Sequence, residues 1–211
     1  MTDTPTHDVR RLTAGQLDAL REVANIGAGH AATALSQMTH RTIMISVPEV
    51  NIVPVEEVPE LLGRPDDVIA GVLMHMMGDL TGRTLLIFPE PSARALCDIL
   101  LRRPPGTTLE FGDMEQSGLK EVGNILTSAY LNALSDFMGM MLVPSVPALV
   151  IDLAAAVLTT TYLNFGTERD FVFCVETSFR LGDQSDILRG HFLLLPDLAS
   201  LRAIFDAIRL G

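Results

Sequence analysis

Two stretches of this sequence, EVANIGAGHAATALSQM at 22–38 and EVGNILTSAYLNALSDF at 121–137, follow the same pattern. They align at a constant offset of 99 positions, from Glu22 to Glu121. Val47-Pro48 and Val146-Pro147 match at the same offset. The identical pairs within the two stretches are Glu22/Glu121, Val23/Val122, Asn25/Asn124, Ile26/Ile125, Ala34/Ala133, Leu35/Leu134 and Ser36/Ser135. The chain therefore contains an internal duplication.

Each copy predicts a long helix. Thr13 and Gln16 have the spacing of a capping box, and Leu12 and Leu17 are placed as its hydrophobic staple. Residues with the three-to-four spacing of one buried helix face follow. They are Leu17, Leu20, Ala24, Gly27, Ala31, Leu35 and Met38. We expect this helix to end near Thr39 and His40.

The second helix is predicted to begin near Asp113, where Asp113 and Gln116 repeat the cap spacing. Its apolar stripe consists of Leu119, Val122, Leu126, Tyr130, Ala133 and Phe137. The glycines at 27–29 lie inside the first helix rather than between a strand and a helix. We therefore attribute them to close packing and not to a phosphate-binding loop.

The rest of each half repeats the same order of elements. A β-branched segment, a short helix, two alternating strands and a helix after a proline follow in turn. The ranges are 42–47 with 50–53, 55–62, 68–77, 84–88 and Pro89 in the first half, and 148–152, 152–162, 171–179, 191–195 and Pro196 in the second. We predict an α/β protein of the two-layer α+β type, with a largely antiparallel, pseudo-two-fold sheet covered by the two long helices. Repeats at about 12–105 and 111–211 are expected to form one domain spanning 1–211.

Composition and charge exclude several classes of protein. Hydrophobic residues make up 48% of the 211 and charged residues 19%, which excludes intrinsic disorder. The net charge is -11 and no basic stripe is present, so a nucleic-acid partner is not expected. Cys97 and Cys174 lie in apolar runs, as is typical of buried thiols in a cytoplasmic protein.

The sequence also argues against membrane insertion or secretion. The first residues contain no apolar signal region. The apolar stretch 138–158 contains Pro144, Pro147 and Asp152 and has no flanking Lys or Arg, so we expect a strand and a helix there.

Glu22 and Asn25 are predicted to face solvent together with Asp18. These residues lie at i, i+4 and i+7, within about 60° of one another on a helix and roughly opposite the apolar stripe. Ser117, Glu121 and Asn124 repeat this geometry. A solvated polar face is the simplest alternative. Against it, Asn is unfavourable inside helices, and the pair recurs although neighbours expected to be exposed, such as His30 and Ala129, differ.

The chemistry open to such a pair is limited. A carboxamide cannot take up a proton near neutral pH, but it can accept and donate hydrogen bonds and so hold a water molecule in place. Phosphoryl transfer depends mainly on positioning the nucleophile in line with the leaving oxygen. A nearby glutamate could pair with a cation on the partner.

The motif D/S-x-x-x-E-x-x-N, with a proline 23 residues after the Asn, resembles that of the CheC/CheX/FliY family of chemotaxis phosphatases. It occurs as Asp18, Glu22, Asn25 and Pro48, and again as Ser117, Glu121, Asn124 and Pro147. The strings NIGAGHAATALS and ISVPEVNIVPVEEVPELLG add to the resemblance. His30 stands where the family is expected to have Asn.

The resemblance implies a phosphatase that acts on the aspartyl-phosphate of the response regulator CheY. Asn25 and Asn124 would orient the attacking water, and Glu22 and Glu121 would dock a lysine of the regulator. Magnesium would belong to the regulator, so no cofactor of the chain's own is expected. The resemblance also implies binding of CheD through about 152–162. The expected contacts there are Asp152, Ala154, Ala155 and Ala156.

The sequence leaves two alternatives open. The chain could be a CheD-binding adaptor with little catalysis, or a binding module like the flagellar switch protein FliM. The histidines show no metal-ligand spacing, so no metal site is predicted. Pro48 and Pro147 are expected to shape a strand bend. Because one chain carries both sites, we expect a monomer.

Overall fold

The structure is a computed structural model, and it describes residues 13–54, 57–58, 64–163, 171–181 and 187–210. Leu12 of the predicted staple and most of the predicted helix 55–62 lie outside the described residues. The helices are α1 (Ala14–Thr39), α2 (Glu90–Leu100), α3 (Asp113–Met138), α4 (Ala154–Leu163) and α5 (Leu198–Leu210). The strands are β1 (Ile43–Ile45), β2 (Glu49–Pro54), β3 (Val68–Gly78), β4 (Gly82–Pro89), β5 (Leu142–Pro144), β6 (Ala148–Leu153), β7 (Phe171–Leu181) and β8 (Ile187–Pro196).

Helix α1 begins and ends as predicted. The Thr13 hydroxyl accepts a hydrogen bond from the Gln16 backbone N–H at 3.3 Å, and the Gln16 side chain accepts one from the Thr13 N–H at 2.9 Å. At the other end, His40 adopts the left-handed conformation, with φ of 53°, that terminates a helix. The capping box confirms that the local sequence determines where this helix starts.

The predicted cap of α3 is wrong. Asp113 is already the first helical residue, so Gly112 is the N-cap and no side chain caps the helix. The Gln116 side chain instead donates a hydrogen bond to the Phe111 carbonyl at 2.9 Å. A helix that starts at Asp113 leaves its carboxylate one position too late to accept from the third N–H.

The sheet is antiparallel throughout, as predicted, and strands of the two halves are interleaved in it. The order is β1-β7-β8-β4-β3-β5, with β2 also paired to β7 and β6 also paired to β3. The first strands of each half therefore pair with a strand of the other half. At the centre, β4 lies beside β8, with Leu85 opposite Leu193 and Leu86 opposite Phe192. Neither half can form this sheet without the other.

Helices α1 and α3 run antiparallel and cover one face of the sheet together with α2 and α5. The core beneath them includes Val72, Leu119, Val122 and Leu126, all at 0% exposure. A second, smaller core lies on the opposite face, where α4 and Val58 pack against Leu85 and Ile87. Each fully buried apolar side chain of this size contributes about 1.5–3 kcal/mol. The α/β class is confirmed, and α4 adds a layer on the second face.

The apolar stretch 138–158 is divided among the end of α3, strands β5 and β6 and the start of α4, as expected. No helix within the described part of the chain is both long and apolar enough to span a bilayer. Cys97 and Cys174 are buried and unbridged, in agreement with the prediction. Burial raises the pKa of each thiol to about 12.

Gly27 allows α1 and α3 to approach closely. A Cβ atom on Gly27 would lie 2.7 Å from the Tyr130 ring and 3.1 Å from the Tyr130 Cα. The second contact is with backbone, which cannot move aside as a flexible side chain can. The packing explanation is therefore confirmed for Gly27. It is wrong for Gly29, which is exposed and would have no atom of the described residues within 4 Å of an added Cβ.

Asp98 holds the segment that joins the two halves. Its buried carboxylate accepts hydrogen bonds from the N–H groups of Gly106 at 2.7 Å, Thr107 at 3.2 Å and Thr108 at 2.8 Å, and from the Thr108 hydroxyl at 2.7 Å. Burial alone would raise the pKa of Asp98, but the hydrogen bonds from Thr108, Gly106 and Thr107 lower it below the ordinary 3.8. The ionised form is thus the one that the fold stabilises.

The helix contact yields a paired prediction. Gly27→Ala should lower the free energy of unfolding by about 1–3 kcal/mol because the added methyl overpacks the interface with α3. Gly29→Ala should raise it by about 0.5–1 kcal/mol, since alanine favours a helix interior over glycine. Urea unfolding of the two variants and wild type measures both. Equal effects of the two substitutions would contradict the close contact.

The linker contact yields a pH-dependent prediction. Asp98→Asn should destabilise the fold by about 1.5–3 kcal/mol near neutral pH, because charge-assisted hydrogen bonds are lost. The native pKa of Asp98 lies below its unfolded value, so its stabilisation is complete above pH 5 and is lost as the pH falls through the native pKa. Urea unfolding at several pH values should show the difference from wild type shrinking below pH 4. A difference independent of pH would contradict this role.

Candidate functional site

The four predicted Glu and Asn residues lie midway along the two long helices. Glu22 and Asn25 are exposed on α1, Glu121 is exposed on α3, and Asn124 is half-buried there. Their neighbours in sequence point inward: Val23 and Ala24 are buried, as are Val122 and Gly123. The alternation within each helix therefore turns the Glu-Asn pair towards solvent and the intervening residues towards the sheet.

The polar groups of these four residues have no partner within the described part of the chain. None of Glu22, Asn25, Glu121 and Asn124 makes a hydrogen bond or an ion pair to another described residue. The buried carboxylate of Asp98, by contrast, accepts hydrogen bonds from its surroundings. Exposed and unpartnered groups on a rigid helix are available to an external molecule.

The two sites differ in their first motif residue. Asp18 is exposed and pairs with Arg21, with 3.2 Å between Asp18 Oδ1 and Arg21 Nη1. Ser117, at the equivalent position of α3, is also exposed but carries no charge. A basic side chain one position before the Glu is present at both sites, as Arg21 and Lys120. The Glu-Asn pair is thus the shared feature, and its surroundings vary.

The packing beneath the two sites also differs. A small apolar cavity of about 50 Å³ lies under the N-terminal part of α1. It is lined by Leu20, Ala24 and Val50 of the first repeat and by Leu131 and Leu134 of α3. Under α3, Gly123 instead fits closely against Val72: a Cβ there would be 2.5 Å from a Val72 methyl. The backbone of the second site rests directly on the sheet.

Pro48 and Pro147 stand at the predicted bends. Pro48 is buried between β1 and β2, and Pro147 is half-buried between β5 and β6. Each proline immediately precedes the second strand of its pair. The loops that contain them run beside the motif helices, because α1 packs on β1 and β2 and α3 packs on β5 and β6.

The four residues predicted to bind CheD are not equivalent. Asp152 belongs to β6 rather than to a helix, which corrects the predicted helical range 152–162; it is exposed. Ala155 is exposed and Ala156 half-buried in α4. Ala154 is only 3% exposed and packs in the second core, so it cannot contact a partner at the surface. Helical periodicity, which turns successive alanines to different sides, accounts for the difference.

Among the described residues, no three or more His, Cys, Asp or Glu side chains are grouped so that they could hold a metal ion. His191 is buried, and burial lowers its pKa; its Nδ1 has no hydrogen-bond partner in the part of the chain that the structure describes. His7 lies outside the described residues.

The chain shares its fold, with two long helices on one face of an antiparallel sheet, with solved structures of flagellar proteins. FliY of Thermotoga maritima superposes with a TM-score of 0.77 at 20% identity, over 94% of this chain and 98% of that one. The FliM middle domain of H. pylori gives a TM-score of 0.66 at 18% identity, over 93% and 99%. At these identities the likeness concerns the fold.

Sequence comparison identifies the family within that fold. The CheC-like family model matches residues 16–52 and 114–151, which contain both motifs. A Bacillus subtilis protein named CheY-P phosphatase CheC is 34% identical over 195 residues, 92% of this chain and 93% of that protein. A Halobacterium salinarum protein named putative CheY-P phosphatase CheC1 is 29% identical over 68% of this chain and 70% of that protein. The chain belongs to the CheC-like family.

Proposed function

We propose that this chain hydrolyses the aspartyl-phosphate of the response regulator CheY. The observation that carries the proposal is the Glu-Asn pair at equivalent places on α1 and α3, which has no partner among the described residues and is exposed except for the half-buried Asn124. Similarity over nearly the whole length to a protein named CheY-P phosphatase CheC supports the choice of substrate. The chain would therefore work in chemotaxis signalling, in the cytoplasm where response regulators act.

In this proposal Asn25 and Asn124 position the attacking water. The carboxamide oxygen accepts a hydrogen bond from the water, and the amide N–H can donate to a phosphoryl oxygen, so that water and phosphorus are held in line. The amide takes up no proton. A hundredfold acceleration of an already labile acyl phosphate requires about 2.7 kcal/mol. Orientation of one reactant can supply a stabilisation of this size.

Glu22 and Glu121 are proposed to dock the regulator. An exposed carboxylate one helical turn before the Asn can pair with a lysine of the partner and thereby fix the position of the amide. Such a charge pair gains strength as the interface excludes water. The motif residues Asp18, Ser117, Pro48 and Pro147 support the site without touching the reacting atoms.

The proposal requires no cofactor bound to this chain. Magnesium is assigned to the phosphorylated regulator, where it neutralises the phosphoryl oxygens. We further propose that residues 1–211 act as one domain of two repeats and as a monomer. The exchange of strands between the halves supports the single domain, and the presence of two sites in one chain makes a second copy unnecessary.

The decay of phosphorylated CheY tests the catalytic role. Asn25→Ala and Asn124→Ala should each lower the hydrolysis rate by removing one site, and the double variant should abolish the acceleration. Asn132→Ala, which removes an exposed amide from α3 outside the motif, is the matched control and should behave as wild type. Decay with the double variant at the wild-type rate would refute the proposal and leave a binding module of the FliM type.

We also propose that the chain binds CheD through the exposed edge of β6 and α4. Asp152 and Ala155 are exposed, and α4 packs on the face of the sheet opposite the motif helices, which supports this position. Asp152→Lys and Ala155→Arg should abolish co-purification with CheD and leave hydrolysis of phosphorylated CheY intact. Gln37→Arg, an exposed change on α1, is the control for added charge. Retention of CheD by both variants would exclude this surface.

A further inference from the structure

The loops beside the two motif helices share an exposed valine. The tripeptide Ser-Val-Pro occurs at 46–48 and again at 145–147, at the offset that relates the two repeats. Val47 is 74% exposed and Val146 is 86% exposed. Exposed apolar residues are common singly, but here the same exposed residue is retained at the same place in two diverged copies.

Both tripeptides are held by the same contacts. The Ser46 N–H donates to the Ser178 carbonyl at 2.9 Å, and the Ser178 N–H donates to the Ser46 hydroxyl at 3.4 Å. The Ser145 N–H donates to the His75 carbonyl at 2.9 Å, and the His75 N–H donates to the Ser145 hydroxyl at 2.9 Å. The serine thus ties each loop to a strand contributed by the other repeat.

The proline on the other side of each valine faces inward. Pro48 is buried, Pro147 is half-buried, and proline fixes its own φ angle. A valine held between a bonded serine and an inward-facing proline cannot turn into the core without breaking those contacts. The contacts of the serine and the proline therefore hold Val47 and Val146 at the surface, where most of each side chain faces solvent.

The loop at 46–48 passes along the side of α1 on which Asn25 lies. Where β1 begins, the Ile43 N–H donates to the Ser36 hydroxyl at 2.9 Å; where β2 begins, Val50 and Ala24 line the same cavity. The loop between them follows α1 towards the Glu-Asn turn. Asn25 and Ser36 are 11 positions apart, which on a helix places them about 20° from each other, on the side that contacts β1.

The second repeat has the same arrangement. The Ser135 hydroxyl is bonded to the Met140 carbonyl just before β5, and β5 and β6 both pack on α3. Asn124 and Ser135 have the same spacing as Asn25 and Ser36. Each Glu-Asn pair therefore has a polar helix face and, on one flank, an apolar loop residue held at a constant position.

From this geometry we propose that the Ser-Val-Pro loops dock the response regulator, with Val47 or Val146 making an apolar contact beside the phosphoryl group as the Asn is positioned. This inference rests on the proposed function. A specific protein interface covers about 800 Å² on each partner, so a regulator centred on the Glu-Asn turn extends over the adjacent loop. A second copy of this chain fits less well, since the net charge is -11 and the loop recurs once beside each motif.

Val47→Ser, Val146→Ser and the double variant test the proposal. Burial of a valine side chain corresponds to at least a tenfold change in an equilibrium constant. The double variant should raise the KM for phosphorylated CheY at least tenfold and leave kcat at saturation within twofold of wild type. Val47→Ile with Val146→Ile should keep the wild-type KM. Leu109→Ser, a change at a side chain that is also 74% exposed but lies in the linker, is the matched control.

A second readout separates docking from catalysis. Affinity for CheY activated with beryllofluoride, which needs no hydrolysis, should fall tenfold in the double variant and remain unchanged in Leu109→Ser. If wild type accelerates decay but the serine variants keep both KM and affinity, the docking role is overturned and the proposed function stands. If wild type binds activated CheY through the valines but does not accelerate decay, docking is supported and catalysis fails. Loss of self-association instead of CheY binding in sedimentation would overturn the docking role.

Discussion

The exchange of strands between the two halves is the constraint on which the rest of the structure depends. Strands β1 and β2 pair with β7 of the second half, and β5 and β6 pair with β3 of the first. Because the exchange is reciprocal about the β4–β8 pair, both long helices come to lie on the same face of one sheet. Their antiparallel contact at Gly27 is close enough to bury most apolar positions of each.

This constraint also explains why the candidate sites are exposed. A helix that buries one side on the sheet and another against its partner helix leaves a narrow outer face to solvent. Glu22, Asn25, Glu121 and Asn124 lie on that face, without partners among the described residues. The serine of each Ser-Val-Pro loop is bonded to a strand of the other half, at Ser178 or His75, so the exchange extends to the surroundings of the sites.

Features encoded by nearby residues could be predicted from the sequence. The capping box at Thr13 was predictable because both partners lie within one turn, and the exposure of the Glu-Asn face followed from helical periodicity. The prediction that Asp113 caps α3 was wrong because the spacing from Asp to Gln is the same when the Asp is the first residue inside the helix. The prediction of close packing at Gly29 was wrong because a glycine inside a helix does not show in the sequence whether another element packs against it.

Features that depend on distant residues could not be predicted. The order of the strands requires pairing between the two halves, for which a single sequence carries no signal. The layer to which α4 belongs depends on Leu85 and Ile87. The Val-Pro repeat was visible in the sequence, but the position of its loops depends on hydrogen bonds to distant residues. Ser46, for example, is bonded to Ser178, more than a hundred positions away. The identity of the substrate came from family resemblance alone.

We propose that the Asn side chains position the attacking water and contribute little to the binding of the regulator. The most direct measurement compares kcat at saturating phosphorylated CheY with the affinity for beryllofluoride-activated CheY, in wild type and in the Asn25→Ala/Asn124→Ala double variant. We expect kcat of the double variant to fall to the rate of spontaneous hydrolysis while its affinity changes less than threefold. If the double variant keeps the wild-type kcat at saturation and loses affinity instead, the Asn side chains act in binding and the proposed role in positioning water is contradicted.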